Sequence, residues 1–501
     1  MSSYYPHRLG ATPSSLIGQF MLGCGDMRVP HGWTVLSERS WTLAVHPALP
    51  HFRIATDSGE NVGWLLGYAV ARDGKFVGEP IVVPAQPSSA TCEKIVAGLS
   101  GRFLLLILGG PNPRVYTDAF AMLAAVFAPS ARMVASTSSL IPVTDSTPYD
   151  VEWIMATDIP YTNAMYPLGL TPRRGVERVL PNHYLDLKQW ALVRRWPKGD
   201  LPFDRDPSEA VRTVAATASR TIDGIAAAYS VQSPITAGRD SRLMLACSRN
   251  VAHQIEFFTA PFPGQLVGWR DVMISKRIAA RLGLTHRVLR YRRPRKSDRQ
   301  EWVQKTAGET GEVNGWRALR TLKQLDGDRV ALSGWAGDIV RPIYWRGKTS
   351  DYRVTVADIL AICNVPPLPA FASRAAQWLT TLPTRNAITV FDLLLAEQRG
   401  GCWTGVIAYA EDGYPRARLA PLCNEEIIRT MLCLPESYRR EMLFERDVIA
   451  SVWPQLLEFP FNEQVPVSLV RRRYFHDRQF VSSNINRVQR TIRRVRHRLH
   501  Q

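Results

Sequence analysis

The sequence predicts a mixed α/β protein, with a β-rich first part followed by a doubly wound parallel sheet that has a helical C-terminal region. Short segments rich in β-branched and alternating apolar residues fill most of residues 1–200. From residue 206 onward, strand patterns alternate with helix patterns, which is typical of a parallel sheet covered by helices. The length of 501 residues also exceeds the usual size of a single core, so we expect two domains.

Composition excludes several classes of protein. A hydrophobic content of 46% with 21% charged residues is ordinary for a globular chain. No apolar run approaches the ~18 residues of a membrane span, and no basic segment leads into an apolar one as in a secretory signal. The seven cysteines are odd in number and include no Cys-x-x-Cys pair. We therefore expect a cytoplasmic protein with reduced thiols, no membrane contact and no zinc site.

The net charge of +18 is concentrated near the C-terminus, where residues 471–498 contain ten arginines and one acidic residue. Such a segment can attract nucleic acid, a membrane surface or an acidic peptide. The plainer interpretation is a solvated basic helix, or one that packs on an acidic surface of the same chain. No RNA-binding signature accompanies the arginines, which disfavours nucleic acid. A partner protein or peptide at this basic region remains an open alternative.

In the first part, the β pattern is interrupted once by a helical one. We expect strands within residues 33–45, 51–57, 61–70, 101–108, 114–118 and 133–137, a hairpin turn at 71–75 and a helix at 89–99. The last two of these strands are expected to continue the sheet begun by 101–108. Residues 171–204 contain prolines and turn signals and are predicted to connect the two parts.

In the second part, strands and helices alternate from residue 207. We expect helices at 207–229, 240–250 and 271–282, strands just before residue 236 and at 254–259, 285–291 and 329–332, and later helices at 356–363, 371–379, 386–399 and 424–434. Pro207 fits the first turn of a helix, and Gly283 fits a helix stop.

Two loops with small residues follow strands of this second part. The first runs from Thr236 to Ser241 and offers two hydroxyl groups, backbone N–H groups and a helix N-terminus, which together suit a phosphate. Gly238 gives this loop backbone freedom, and Ala237 is small enough not to obstruct a ligand. A plain turn before a helix is the alternative interpretation.

The second loop contains Ser333, Gly334, Gly337 and Asp338 and again follows a strand. Ligands of parallel α/β sheets bind at the carboxyl ends of the strands. If both loops meet there, Asp240 and Asp338 can hold Mg²⁺ together with phosphate oxygens. Asp338 as an ordinary turn residue is the alternative.

These loops carry a resemblance to the asparagine-synthetase-like ATP pyrophosphatases. The first loop resembles their Ser-Gly-Gly-x-Asp-Ser pyrophosphate loop, with Thr236 and Ala237 as replacements. The second resembles their Gly-x-Gly-Gly-Asp element, with Ala336 in place of a glycine. The passages 101–141 and 180–187 are similar to the family's glutaminase-like domain and to the bridge that follows it. A later passage matches at Arg418 and at Pro421-Leu422, although Asn424 replaces an aspartate.

The resemblance implies two domains. Residues 1–200 would form a glutaminase-like, Ntn-type α+β sandwich, and residues 201–501 a PP-loop synthetase domain ending in the basic tail 471–501. Family members begin with a nucleophilic cysteine, whereas this chain has Ser2 and Ser3, and its first cysteine is Cys24. The implied first domain is therefore a scaffold without ammonia-generating chemistry. A Ser2 nucleophile after methionine removal is a chemically allowed alternative.

The resemblance also implies an activity, namely activation of a carboxylate by ATP to an acyl-adenylate, with release of pyrophosphate and attack by an amine. ATP and Mg²⁺ are the implied cofactors, with the metal on Asp240 and Asp338. Tyr344 and Glu411 are the candidates for deprotonating the amine, with Glu397 as a rival to Glu411. The residues implied to bind nucleotide are Thr236, Ala237, Gly238, Arg239, Asp240, Ser241, Ser333, Gly334 and Gly337.

One position of the family pattern is vacant, because the last lysine of this chain is Lys348 and the family has a later one. Arg471, or its neighbours Arg472 and Arg473, would have to supply that charge to the pyrophosphate.

The expected substrate is a small molecule or peptide that carries both carboxylate and amine. The expected activity is thus that of an amide-forming ligase of specialised metabolism, of the β-lactam-synthetase or macrocyclase type or an intermolecular ligase. The alternatives are a degenerate ATP-binding homologue and a tRNA-modifying pyrophosphatase.

Overall fold

The computed structural model describes residues 16–25, 27–159, 161–261 and 266–462. It is a mixed α/β structure with three sheets, one of them parallel, and many helices. Among the described helices, none combines the length and the apolar character needed to cross a lipid bilayer.

The strands have the following bounds: β1 (Phe20–Cys24), β2 (Thr34–Glu38), β3 (Trp41–Val45), β4 (His51–Thr56), β5 (Asn61–Ala71), β6 (Ile81–Val83), β7 (Leu99–Ile107), β8 (Arg114–Thr117), β9 (Val126–Ala128), β10 (Met133–Ala135), β11 (Glu177–Arg178), β12 (His183–Asp186), β13 (Ala191–Arg194), β14 (Val231–Pro234), β15 (Ile255–Thr259), β16 (His286–Val288), β17 (Val330–Leu332) and β18 (Arg418–Leu419).

The α-helices have the following bounds: α1 (Ser89–Ala97), α2 (Val151–Thr157), α3 (Pro207–Ala228), α4 (Arg239–Cys247), α5 (Leu266–Leu282), α6 (Lys296–Thr306), α7 (Val313–Leu322), α8 (Val356–Cys363), α9 (Pro369–Thr381), α10 (Ala387–Leu394), α11 (Gly405–Glu411), α12 (Glu425–Leu432), α13 (Glu436–Arg440) and α14 (Phe444–Val452). A π-helical segment, Leu395–Thr404, joins α10 directly to α11.

Two mainly antiparallel sheets pack face to face in the first part of the chain. One has the order β11-β9-β10-β1-β3-β2, and the other has the order β13-β12-β8-β7-β5-β4-β6. Apolar side chains from both sheets fill the space between them, including Phe20 and Leu43 from the first and Leu66 and Leu104 from the second. Helix α1 covers the far face of the second sheet.

One prediction for this region is wrong in detail, and another is confirmed. The segment around Met133 forms β10, which pairs with β1 in the six-stranded sheet and does not continue the sheet of β7 and β8. The partner of such a short strand depends on contacts that its own residues do not specify. The turn at residues 71–75 closes a short hairpin, with an antiparallel bridge between Val70 and Phe76 and a hydrogen bond from the N–H of Ala71 to the carbonyl of Lys75 at 2.8 Å. The next strand, β6, pairs in parallel with β4.

The third sheet is parallel and has the order β16-β15-β14-β17-β18. Its first strand in the chain, β14, therefore lies between the second and the fourth, and the direction of winding reverses between β14 and β17. In doubly wound sheets, this reversal opens a crevice at the carboxyl ends of the two strands. Both loops described above start at this crevice, since they follow β14 and β17.

Buried ion pairs join the sandwich to the helices of the second part. Arg102 on β7 donates two hydrogen bonds, of 2.7 and 2.8 Å, to the carboxylate of Asp412, and both side chains are almost fully buried. Arg178 on β11 contacts Glu309 at 2.5 Å, and Arg195 contacts Glu425 at 2.5 Å. A buried charge is tolerated when it is paired and hydrogen-bonded, so these pairs fix how the two parts fit together.

We predict that Arg102→Met lowers the free energy of unfolding by about 3–5 kcal/mol, because Asp412 is left buried without its partner. Urea-induced unfolding followed by tryptophan fluorescence measures this loss. The Arg102→Met/Asp412→Leu double variant should recover a large part of it. Arg39→Met is the control, because its pair with Glu60 is exposed and is expected to contribute less than about 1 kcal/mol. Equal losses for the two single variants would contradict the prediction.

Candidate functional site

The first loop (residues 235–241) and the second loop (residues 333–338) line one cavity of about 250 Å³ at the β14–β17 crevice. This volume lies just below the ~300–1,000 Å³ of most small-molecule pockets, so a nucleotide-sized ligand would extend beyond it. The residues that line the cavity are Phe120, Thr236, Gly238, Asp240, Ser241, Gly334, Trp335, Ala336, Asp338, Arg399, Trp403 and Thr404.

Hydrogen bonds within the first loop hold its shape. The hydroxyl groups of Thr236 and Ser241 are 2.6 Å apart. The backbone N–H of Gly238 donates to the Thr236 hydroxyl at 3.0 Å, and the N–H of Thr236 donates to the Ser241 hydroxyl at 3.2 Å. The loop then enters α4, whose N-terminus carries the partial positive charge of its unpaired N–H groups. The two hydroxyls thus hydrogen-bond to each other and to backbone N–H groups of the same loop.

Hydrogen bonds with residues outside the first loop also fix its position. The N–H of Ala237 donates to the carboxylate of Asp271 at 2.8 Å. Arg242 is fully buried and donates to the carbonyl of Phe459 at 2.6 Å. Arg239, which was predicted to bind nucleotide, donates to the carbonyl of Met442 at 2.9 Å and does not line the cavity. The loop is therefore preformed. However, the carboxylate of Asp271 lies next to the position where we expect an anion to bind.

The second loop approaches the first more closely than a side chain would permit. A Cβ atom on Gly334 would lie 2.8 Å from the Cβ atom of Asp240, so glycine is required for this contact. Ser333, also predicted to bind nucleotide, is buried, and its hydroxyl accepts a hydrogen bond from the N–H of Trp335 at 3.3 Å. Ala336 adopts a left-handed conformation with φ of +69°, which is unfavourable for a residue with a Cβ atom.

We predict that Ala336→Gly raises the free energy of unfolding by about 0.5–1 kcal/mol, because relief of the left-handed backbone strain, about 1–2 kcal/mol, exceeds the loss of one buried methyl group, about 0.8 kcal/mol. Ala237→Gly is the matched control. Ala237 is fully buried and has no positive φ, so its replacement should lower the free energy of unfolding by about 1 kcal/mol. Thermal and urea unfolding measure the sign of the change in the free energy of unfolding for each variant. A loss of stability in Ala336→Gly would contradict the prediction.

Three carboxylates and two guanidinium groups form a charge cluster at the cavity; Asp240, Asp338 and Arg399 line it, whereas Arg341 and Glu445 lie outside the lining. Arg341 is ion-paired with Asp240 and with the buried Glu445. Arg399 contacts Asp338 at 3.1 Å. Burial raises the pKa of Asp240 to about 6; Arg341 opposes the shift, and the nearby Asp338 adds to it. When all five groups are ionised, the cluster carries a net charge of −1. Ion pairs with the two arginines offset the repulsion between its carboxylates.

The cluster fits a divalent cation only in part. Asp240 and Asp338 reach the same cavity, and Mg²⁺ commonly takes one or two carboxylates together with phosphate oxygens and water. Within the described residues, no group of three or more His, Cys, Asp or Glu could hold a metal. The donor set therefore suits a metal that arrives with a phosphate ligand, and it requires Arg341 and Arg399 to release their carboxylates.

The wall opposite the two loops comes from the π-helical segment and from the sandwich. Arg399, Trp403 and Thr404 of the π segment face the cavity, and the guanidinium of Arg399 lies 5.1 Å from the centre of the Trp403 ring. Phe120, from the loop between β8 and β9, completes this wall. The π segment can lie this close because Gly400 has no side chain, since a Cβ atom there would lie 2.8 Å from the Phe120 ring. π-Helical turns are frequent at functional sites.

The proposed deprotonating residues lie outside the residues that line the cavity. Tyr344 packs between two apolar clusters, and burial raises the pKa of its hydroxyl to about 12. Glu411 is buried in an ion pair with Arg418. Among the hydrogen bonds and ion pairs of the described residues, none joins Tyr344 to Glu411 or to Glu397.

The rival carboxylate, Glu397, has a clear structural role. It is fully buried, accepts two hydrogen bonds from Arg194 at 2.6 and 2.9 Å, and accepts one from Trp378 at 2.7 Å. Arg194 and the other donors lower its pKa against the effect of burial. Glu397 therefore joins β13 to the π segment. Arg471, Arg472, Arg473 and Ser2 lie outside the described residues.

Sequence reasoning missed the cations and aromatic side chains of the site. Arg341 follows the second loop by three residues, and a charged residue this close to a candidate metal ligand was a signal that could have been used. The helix predicted for residues 386–399 ended at Arg399 and left Trp403 outside it, and the orientation of both side chains depends on the π turn. Phe120 belongs to the other part of the chain and carried no local signal.

No protein-family model matches this chain, and a search of curated proteins also finds no match. The interpretation of the site therefore depends on its own geometry and on the resemblance of its two loops.

We predict that the Arg341→Met/Glu445→Gln double variant binds Mg²⁺ about tenfold more tightly than the native protein in the presence of a nonhydrolysable ATP analogue. The change removes the guanidinium that competes for Asp240, and it also removes the carboxylate that would otherwise be left buried and unpaired. Isothermal titration calorimetry measures the affinity. Glu445→Gln alone keeps the competing arginine and should change the affinity less. Unchanged affinity in the double variant would show that Arg341 does not compete with the metal.

Proposed function

We propose that this chain is an ATP-dependent amide-forming ligase, which activates a substrate carboxylate by adenylation and releases pyrophosphate. The observation that supports this proposal most strongly is the meeting of the two glycine-containing loops at one cavity of the parallel sheet. Each loop resembles a different element of the asparagine-synthetase-like ATP pyrophosphatases. The proposal includes their domain arrangement, with a glutaminase-like sandwich in residues 1–200, a PP-loop domain in residues 201–501, and a cytoplasmic location.

The residues of the first loop would bind the leaving pyrophosphate. Thr236 and Ser241 present hydroxyl groups, and the N-terminus of α4 favours negative charge at the same place. A phosphate oxygen would take over the hydrogen bond that the N–H of Gly238 now donates to Thr236. Fixed donors aimed at developing charge stabilise a transition state without reorganisation, and they are often the largest single contribution to catalysis.

The charged residues on the cavity floor would position the reacting groups. Asp240 and Asp338 would hold Mg²⁺, which when bound offsets the charge of the phosphates. Either Arg341 or Arg399, once released from these carboxylates, could supply the charge that the family obtains from its late lysine. The aromatic wall formed by Phe120, Trp335 and Trp403 offers flat apolar surfaces to a nucleobase or to the acyl substrate.

A second candidate function is nucleotide binding without catalysis. It is favoured by the arginine on each metal-binding carboxylate, and by Asp271, whose carboxylate already accepts the N–H of Ala237. In this alternative, arginines replace the metal as counter-ions and the cavity binds a nucleotide that is not consumed. The two candidates differ in one measurable property, since only the ligase releases pyrophosphate when a suitable acid is present.

We predict that pyrophosphate is released from Mg-ATP with at least one member of a panel of amino-acid and peptide acids, and that Asp240→Asn lowers this rate roughly 100-fold or more. A coupled pyrophosphate assay measures the rate, and equilibrium dialysis with labelled ATP measures binding in parallel. Asp328→Asn is the matched control, because Asp328 is a carboxylate with an almost fully exposed side chain. ATP binding without release for any acid would support the second candidate, and equal rates in both variants would exclude this site from the reaction.

A further inference from the structure

A strongly basic surface lies beside the cavity, on the loop between β16 and α6 and on the adjacent helix α7. We define this basic patch by its seven cationic side chains: Arg290, Arg292, Arg293, Arg295, Lys296, Arg317 and Arg320. All but Arg320 are exposed, and the half-exposed Tyr291 lies among them, close enough to Arg293 and Arg317 for both to lower the pKa of its hydroxyl against the effect of burial. The patch is distinct from the C-terminal basic segment.

The patch is held in place by its backbone, which leaves its charges facing solvent. The N–H of Arg292 donates to the Thr321 hydroxyl at 3.1 Å, and Gln324 donates to the carbonyl of Arg290 at 2.7 Å. Arg320 donates to the carbonyl of Arg293 at 3.0 Å, so it binds the loop without losing its charge to a carboxylate. The loop is therefore fixed on α7 by three hydrogen bonds.

The charges of the patch are not neutralised within the described part of the chain. None of the seven side chains takes part in an ion pair there, at a limit of 4.0 Å. The carboxylates nearest in sequence have other partners, since Asp298 and Glu301 contact Lys323 at 3.2 and 2.5 Å, and Asp326 contacts Arg329 at 3.2 Å. A concentration of like charge without counter-ions raises the local potential and attracts an oppositely charged ligand.

One apolar cluster relates the patch to the cavity. Arg317 lies 5.4 Å from the centre of the Trp316 ring on the same helix. Trp316, Trp335 and Trp403 each pack against the same small buried cluster, and Trp335 and Trp403 also line the cavity. The patch and the cavity therefore share aromatic side chains that pack on one cluster.

We infer that the basic patch binds an acidic peptide segment and guides its reacting end over the tryptophans into the cavity. The substrate assignment rests on the proposed function, whereas the binding surface does not. An acidic peptide fits better than single-stranded nucleic acid, because such nucleic acid needs open aromatic faces for successive bases, and Tyr291 is a single such face among the seven cations of the patch. Trp316 is already contacted by Arg317 and by Arg299, the latter at 5.8 Å, so guanidinium groups occupy the space beside its ring.

The test compares two triple variants of the full-length chain that remove equal charge. Arg292→Gln/Arg293→Gln/Arg295→Gln removes three charges of the patch. Arg132→Gln/Lys188→Gln/Arg212→Gln removes three exposed charges elsewhere. The probe is a fluorescein-labelled peptide of alternating Glu and Gly, followed by fluorescence anisotropy, with the corresponding Gln–Gly peptide and a labelled single-stranded RNA alongside.

The acidic peptide should bind the patch variant about tenfold more weakly than the native chain, while the control variant stays within about twofold. Binding to the native chain should weaken as salt increases, because screening shortens the range of the attraction. Equal affinity in the two triple variants, or stronger patch-dependent binding of RNA than of the acidic peptide, would overturn the inference.

A separate measurement distinguishes failure of this inference from failure of the proposed function. Pyrophosphate release from Mg-ATP is therefore measured on the same native, patch-variant and control-variant proteins. If peptide binding depends on the patch but the protein never releases pyrophosphate, the binding surface is supported and the ligase activity is contradicted. If the native chain and the patch variant release pyrophosphate at the same rate at subsaturating peptide, the ligase activity is supported and the role of the patch in guiding the substrate is contradicted.

Discussion

The site depends on the parallel pairing of two short strands, β14 and β17. Val231 and Gln232 pair with Val330 and Ala331, although almost a hundred residues separate them in the chain. This pairing places the ends of both strands side by side, where the winding of the sheet reverses and helices on opposite faces leave a crevice. The contact between Gly334 and Asp240, the shared cavity and the charge cluster all follow from it.

Charge balance gives the cavity its chemical character. Three carboxylates close together repel one another, and in a partly buried place this repulsion is costly unless cations or protons compensate. Arg341 and Arg399 provide the compensation. Under the proposed function, a cation or a phosphate would enter by exchange with these guanidinium groups, so the free energy of binding would be the difference between two well-paired states. This exchange separates the two candidate functions, because it determines whether the carboxylates become available to a metal.

The sequence predicted the elements with strong local patterns, and it failed where long-range packing decides. Helices α3 and α8 and strand β15 follow from proline position, apolar periodicity and β-branched residues, and they lie within about two residues of the predicted bounds. Helix α6 was missed because its residues are mostly polar and show no apolar face. The π turn was not predicted. The two loops carried a local signal, but the pairing of Arg341 with Asp240 and of Arg399 with Asp338 joins positions far apart in the chain, so it could not be predicted.

The position of Phe120 has a consequence for the history of such a chain. The sandwich contributes a wall to the cavity through this side chain, and buried arginines anchor it to the helices of the other half. Deleting the sandwich would remove one wall of the cavity and leave several buried charges unpaired and exposed. Selection for the cavity alone would therefore preserve the part of the gene that encodes the sandwich, whether or not the sandwich ever catalysed a reaction itself.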